Sequence, residues 1–331
     1  YTYTMTVKNN FVVKDDFIKS FYDNFGDYIQ PKNINEVHLK GEKIRRLYID
    51  SNSLKNFRNN ELSYLTGALI YPDVNRGTWF SRGVIRHYFG SLLDLFKYKF
   101  QVKKICKDLK VCFYDNKEDD IGNPIKYSFL IFEETGTNIY NNFIFSLISN
   151  VIDQIKPHSI LEIGSGFGKL ASLIINKYKK LSYSIIEYPS QSLITYYYLK
   201  NKIHNQNNLN ILSKFDQINE CDGSKINIFP SLLINSNQII PYPIDTILNI
   251  ESFQHMQSNE ILDYVKFFKL NGIKRIISFN RDFPIYDSET NFYKIFNDNG
   301  FTINNNYSLN IKATGFSIDK HKLDVFEKND K

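Results

Sequence analysis

The run from Ser159 to Pro189 constrains this chain more than any other stretch. Ile160, Leu161 and Ile163 form a short apolar strand, Gly164-Ser165-Gly166-Phe167-Gly168 makes a tight turn, and Lys169 to Tyr178 has helical spacing. A second apolar strand, Ser184 to Ile186, ends in an acid, Glu187. Together these pieces make the opening βαβ unit of a nucleotide-binding sheet. The glycines follow G-x-G-x-G, whereas the dinucleotide fingerprint is G-x-G-x-x-G with its acid about 20 residues further on. Here 187 − 168 = 19, so Glu187 can accept hydrogen bonds from ribose hydroxyls under either pattern. The shorter glycine turn, and Glu162 two residues before its first glycine, suit a ligand without a pyrophosphate. Lys169 is followed by Leu170 rather than Ser or Thr, which argues against a P-loop. A dinucleotide site and a ligand-free glycine turn stay open as alternatives.

Around this unit the chain alternates strand and helix. Asn141 to Ile155 reads as an amphipathic helix leading into the first strand, and Ser190 to Lys202 as the helix after Glu187. An Asn-rich stretch, His204 to Ser224, reads as an inserted loop. Strands follow at Lys225–Phe229, Asp245–Ile250 and Arg275–Phe279, with helices at Asn259–Leu270 and Glu289–Asn299. A last pair of strands lies around Phe301–Leu309 and Lys322–Phe326. The pattern predicts an α/β fold: a doubly wound, mostly parallel seven-stranded sheet over residues 136–331, with ligands at the carboxyl ends of its strands. Residues 1–135 read differently, as a mainly helical lid and substrate region. Helical spacing runs through Asp15–Ile29, Ser53–Leu65 and Arg82–Phe100, and Leu109–Tyr114 with Lys126–Phe132 suggests a hairpin around the polar turn Asn116–Pro124.

Composition narrows the function. The chain of 331 residues is 42% hydrophobic and 23% charged, ordinary for a globular protein, with a net charge of +6. Its densest basic cluster, Lys97, Lys99, Lys103, Lys104, Lys107 and Lys110, has the spacing of a solvated helix face, so no nucleic-acid partner is expected. No apolar run approaches the ~18 residues of a membrane span, and no signal peptide is visible. Three cysteines without metal-type spacing point to a reducing, cytoplasmic setting, and six dispersed His give no zinc pattern. The chain opens on Tyr1 rather than Met, so a native N-terminus is not assumed.

Three segments are similar to the sugar O-methyltransferases of bacterial surface-polysaccharide clusters, within class I S-adenosylmethionine-dependent methyltransferases. They are Ile160-Leu-Glu-Ile-Gly-Ser-Gly-Phe-Gly-Lys-Leu-Ala171, Ile186-Glu-Tyr-Pro189 with Tyr196-Tyr-Tyr-Leu-Lys-Asn201, and Asn249-Ile-Glu-Ser-Phe-Gln-His-Met256. The resemblance covers about residues 120 to 285 and implies a Rossmann-like methyltransferase sheet with one antiparallel strand near its end. It implies S-adenosylmethionine as cofactor, whose positive sulfonium suits a turn flanked by acids. The cofactor-site candidates are Glu162, Gly164, Ser165, Gly166, Gly168, Glu187, Tyr188 and Asn249. His255, in the loop after the fourth strand, is the candidate base for an acceptor hydroxyl, since an imidazole titrates near neutrality. Glu251 and Asp282 are candidates to orient it, and Asp282 could instead hold a divalent ion, although no metal is indicated. Arg281, Trp79 and Arg76 are candidate contacts to an anionic or sugar acceptor, Trp79 by stacking. The expected partner is a sugar or nucleotide-sugar, and a homo-oligomer is compatible with all of this. N-methylation of a small amine, or a non-catalytic cofactor-binding or scaffold module, are the rival readings.

Overall fold

The computed structural model describes residues 11–25, 42, 45–59, 84–129, 132–203, 208–236, 238–281, 291–311 and 321–329. In the N-terminal region these comprise helices α1 (Asp15–Phe25), α2 (Ser51–Lys55) and α3 (Val84–Asp108), then a two-stranded hairpin of β1 (Tyr127–Phe129) and β2 (Phe132–Glu134). Helix α3 runs two turns beyond the expected Phe100, because Val102 and Cys106 continue the buried stripe of Leu95 and Tyr98. Helix α2 starts from a capping box at Asp50 and Ser53, and the rest of the expected helix to Leu65 lies outside the described residues.

The expected pairing of Leu109–Tyr114 with Lys126–Phe132 does not form. Tyr114 and Asn116 instead bond through their backbone to polar side chains of α4 (Gly136–Ile155). Tyr114 N–H donates to Ser146 Oγ at 2.9 Å, while Asn138 and Asn142 donate to the carbonyl of Asn116 at 2.9 and 2.8 Å. Strand β1 takes β2, its immediate successor in the chain, as antiparallel partner, with Phe129 opposite Phe132. Helix α4 begins five residues before the expected Asn141, since Thr135 caps it by accepting from Asn138 N–H.

The remaining elements alternate: β3 (Ser159–Ile163), α5 (Lys169–Lys177), β4 (Ser182–Glu187), α6 (Pro189–Lys202), β5 (Leu209–Ile211), β6 (Ile226–Pro230), β7 (Thr246–Ile250), α7 (Ser258–Leu270), β8 (Arg275–Arg281), α8 (Phe292–Asp298), β9 (Phe301–Ile303), β10 (Leu309–Asn310) and β11 (His321–Lys328). The sheet order is β5-β6-β4-β3-β7-β8-β11, with β9 and β10 both outside β11. Every inner pair is parallel except β8 with β11, so β11 alone runs against the rest.

Two features depart from a seven-stranded expectation. Leu209–Ile211 forms an extra edge strand inside the Asn-rich stretch, where Leu209, Ile211 and Leu212 are buried and Asn210 reaches Asn227 at 3.4 Å. The expected single strand at 301–309 is split into β9 and β10 by a turn, and the two halves share β11 as partner. Side chains alternate across the pleat: Ile160 and Ile185 pack on one face, while Leu161, Ile163 and Ile186 pack on the other. Both faces are therefore covered, and the cluster on the first face also takes in Phe21, Leu95 and Tyr98 of the N-terminal helices.

Candidate functional site

The glycine turn sits at the carboxyl end of β3. Gly164 N–H donates back to Ile186 O at 3.0 Å, and Gly164, Gly166 and Gly168 take φ of 78°, 59° and 90°. Such values are cheap only for glycine. At Gly164 space is also decisive, because an added Cβ would stand 1.8 Å from Ser252 Oγ. The strand β3 turn and the loop after β7 are thus in contact through one missing side chain.

Glu187 closes β4 and points into this turn. Its Oε2 accepts Gly166 N–H at 3.1 Å and its Oε1 accepts Tyr188 N–H at 2.9 Å. Burial pushes its carboxyl up to about 7, against those two backbone donors and the nearby charge of Arg45. A cavity opens here, and Gly164, Gly166, Glu187, Tyr188 and His255 from the sequence reading all line it. Arg45, Gln191, Ser231, Ser252 and Tyr264 line it too, none of them singled out from sequence. Ser252 lies inside the motif around His255. Arg45 lies far upstream of the turn and carries no periodic signal that could draw attention to it.

The other candidates stand elsewhere. Glu162 is buried on the sheet, where Tyr183 OH donates to its Oε2 at 2.9 Å and burial pushes its carboxyl up to about 8. Ser165 Oγ lies 3.4 Å from Thr195 Oγ1, and Gly168 caps α5. Asn249 ties three elements together. It donates to Ile163 O at 3.0 Å, and its Oδ1 accepts Phe253 N–H at 3.0 Å and Asn280 Nδ2 at 2.9 Å. Asn280 in turn accepts Gln254 N–H at 3.3 Å, and Gln254 Oε1 accepts Arg281 N–H at 2.8 Å. This buried amide network fixes the short turn Phe253–His255, and Gln254 Nε2 lies 3.3 Å from His255 Nε2. Glu251, at φ 56°, faces His321: the imidazole Nε2 is 2.8 Å from its Oε1. Burial would raise the Glu251 carboxyl, but His321, Tyr140 and Arg281 outweigh it and hold it below the ordinary range. Asp282, Trp79 and Arg76 lie outside the described residues.

Lys169, directly after the turn, faces away from the cavity into a buried ionic cluster. Glu118 accepts both guanidinium nitrogens of Arg58, at 3.1 and 2.7 Å, together with Lys169 Nζ and Thr135 Oγ1. The turn therefore offers a ligand backbone N–H groups and an acid, with its own lysine engaged elsewhere. That donor set fits a nucleoside with a free ribose edge. Among the described residues no three His, Cys, Asp or Glu gather as a metal ion would need, and no helix is long and apolar enough to cross a membrane.

A mostly parallel sheet wound on both faces, with one antiparallel strand near its end and a glycine turn facing an acid across β3 and β4, is the fold of class I methyltransferases. No family model and no curated protein matches the chain. Among solved structures it is similar to the methyltransferase domain of bacterial CtHen1, at 15% identity over 56% of this chain and 97% of that one, TM-score 0.39. It is also similar to the mitomycin 7-O-methyltransferase MmcR, at 12% identity over 58% of this chain and 57% of that one, TM-score 0.38. PigF with SAH is similar at 18% identity over 55% of this chain and 61% of that one, TM-score 0.34.

Proposed function

We propose that the chain is an S-adenosylmethionine-dependent O-methyltransferase acting on a hydroxyl of a sugar or sugar-nucleotide. One observation carries the reading: a buried acid, Glu187, and an imidazole, His255, line the same glycine-walled cavity at the carboxyl ends of β3, β4 and β7. Glu187 accepts the ribose hydroxyls, and Gly164 and Gly166 let the backbone approach the nucleoside. When bound, S-adenosylmethionine supplies an electrophilic methyl carbon on its sulfonium. His255 would take the proton of the acceptor hydroxyl that this carbon methylates. The amide network of Asn249, Asn280 and Gln254 holds the His255 turn in register with the glycine turn. Arg281 and, outside the described residues, Arg76 and Trp79 are assigned to the acceptor side, and Asp282, also outside them, to orienting His255, on the sequence pattern alone. Three free cysteines fit a cytoplasmic enzyme.

Two measurements test this. Calorimetry should give micromolar-range binding of S-adenosylhomocysteine, about −8 kcal/mol, and none of NAD. Mass spectrometry after incubation with S-adenosylmethionine and a panel of nucleotide-sugars should show a product heavier by one methylene. Tight NAD binding with no binding of the thioether would overturn the cofactor reading, and methylation confined to amines would overturn the acceptor.

A further inference from the structure

The outer wall of the cavity does not come from the sheet. Glu42 and Arg45 belong to the N-terminal region, yet they are only 3% and 7% exposed. Glu42 Oε1 accepts Ser190 N–H at 2.7 Å and Ser190 Oγ–H at 2.6 Å. Ser190 is the second residue of α6, three after Glu187, so Glu42 satisfies a backbone donor at the helix start that its own sequence leaves without a side-chain cap. Arg45 Nη2 donates to the other Glu42 oxygen at 3.2 Å, and Arg45 lines the cavity beside Glu187, Tyr188 and Gln191.

We propose that Glu42 and Arg45 form a clasp on the nucleoside half of the cofactor: Glu42 anchors the segment to α6, and Arg45 contacts the bound nucleoside and supplies the countercharge to Glu187. This rests on the methyltransferase reading above. Ribose hydroxyls donate best to an ionised carboxylate, and burial works against that ionisation. The charged and titratable groups around Glu187 are Arg45 and Glu42 from the N-terminal segment, Glu162 from β3, Tyr188 before α6, Tyr264 from α7 and, in the same cavity, His255 after β7. Arg45 is the cation among them. It lines the cavity wall together with Glu187, at the ribose end, which places it on the nucleoside rather than on the amino-acid tail.

The test is calorimetric titration of the full chain with S-adenosylhomocysteine and with 5′-methylthioadenosine, which lacks the amino-acid tail, from pH 6 to 9. At pH 7 Arg45→Ala should weaken both ligands by about 10- to 100-fold, the loss of a charge-assisted contact. Arg45→Lys should recover part of this, and Glu42→Gln should weaken both by a smaller factor. The Arg45→Ala deficit should shrink toward pH 9, where Glu187 is ionised with or without a neighbouring cation. Arg45→Gln, close in size, serves where the Ala variant does not fold. Loss of thioether affinity with unchanged 5′-methylthioadenosine affinity would place Arg45 on the amino-acid tail and refute the clasp, as would unchanged binding of both. Failure of the wild type to bind either ligand would instead sink the cofactor reading itself.

Discussion

Glu118→Gln tests the buried ionic cluster that holds the glycine turn from behind. The Glu118 side chain is 1% exposed and receives Arg58 at two nitrogens, Lys169, Thr135 and the backbone N–H of Asp119. Burial alone would raise its carboxyl; Lys169 and Arg58 outweigh burial and hold it far below the ordinary carboxylate range. The amide keeps the volume but takes the shared carboxylate from the two cations, whose side chains are 1% and 3% exposed, leaving Asp119, 3.6 Å from Arg58, as their remaining acid. Removing one member of such a buried set costs about 3–5 kcal/mol. At about 2–4 °C per kcal/mol, the melting temperature should fall by of order 10 °C. Lys169→Met should cost less, because Glu118 keeps its bidentate bond to Arg58. The pH dependence carries a sign. A depressed carboxyl contributes stability above its ordinary value and loses it as pH falls toward the folded one, so the gap between wild type and Glu118→Gln should persist down to about pH 4. Thermal melts by circular dichroism at pH 4 and 7 measure both effects. A loss below about 1 kcal/mol, the level of a surface pair, would refute the reading of this cluster as a buried ionic set that supports the turn.

Three further outcomes are expected. His255→Ala should lower turnover on the methylated acceptor by about 10²–10⁴, with thioether affinity nearly unchanged, as stopped assays and calorimetry would show; near-normal turnover would move the base elsewhere. Gly164→Ala should destabilise the protein and weaken cofactor binding through its clash with Ser252. The double variant Gly164→Ala/Ser252→Gly should recover stability except for about 1–2 kcal/mol of left-handed backbone strain, and equal melts for single and double variants would refute the contact. Glu162 holds a proton to about pH 8 when folded, above its ordinary value, so it favours the folded state below about pH 4.5 and loses that contribution as pH rises through 8. Glu162→Gln should therefore flatten the fall in melting temperature between pH 5 and 8, and an unchanged slope would count against it.

How much of the fold and site is legible in the sequence depends on how local each signal is. The βαβ unit at 159–187 is readable because the apolar runs, the glycines and the acid all lie within one unit. The same holds for Asn249 to Met256 after β7. The strand at Leu209–Ile211 is hidden because only three residues carry it, among asparagines that resemble loop. Leu109–Tyr114 resembles a strand because it is mostly apolar, but Ser146 takes the Tyr114 N–H while Asn138 and Asn142 hold the Asn116 carbonyl, and no rule of local spacing reveals a helix face as the partner. By sequence Glu251 is an orienting group for His255, whereas its carboxylate faces His321, brought in by the antiparallel β11. Arg45 and Glu42 are silent for the same reason: their role depends on a tertiary contact with Ser190.

Helix α4 buries fifteen of its 20 residues, and one hydrophobic cluster passes through it from Phe21 and Leu95 to Phe143 and Leu147 and on to Ile160 and Ile185. Such a helix has no solvent side to spare. A fragment beginning near residue 136 would keep the sheet's topology but turn a raw apolar face to water, large enough to drive self-association. The sheet and the helices before it thus share one core, so a single thermal transition is expected of them, and damage to the N-terminal packing should be felt at the glycine turn.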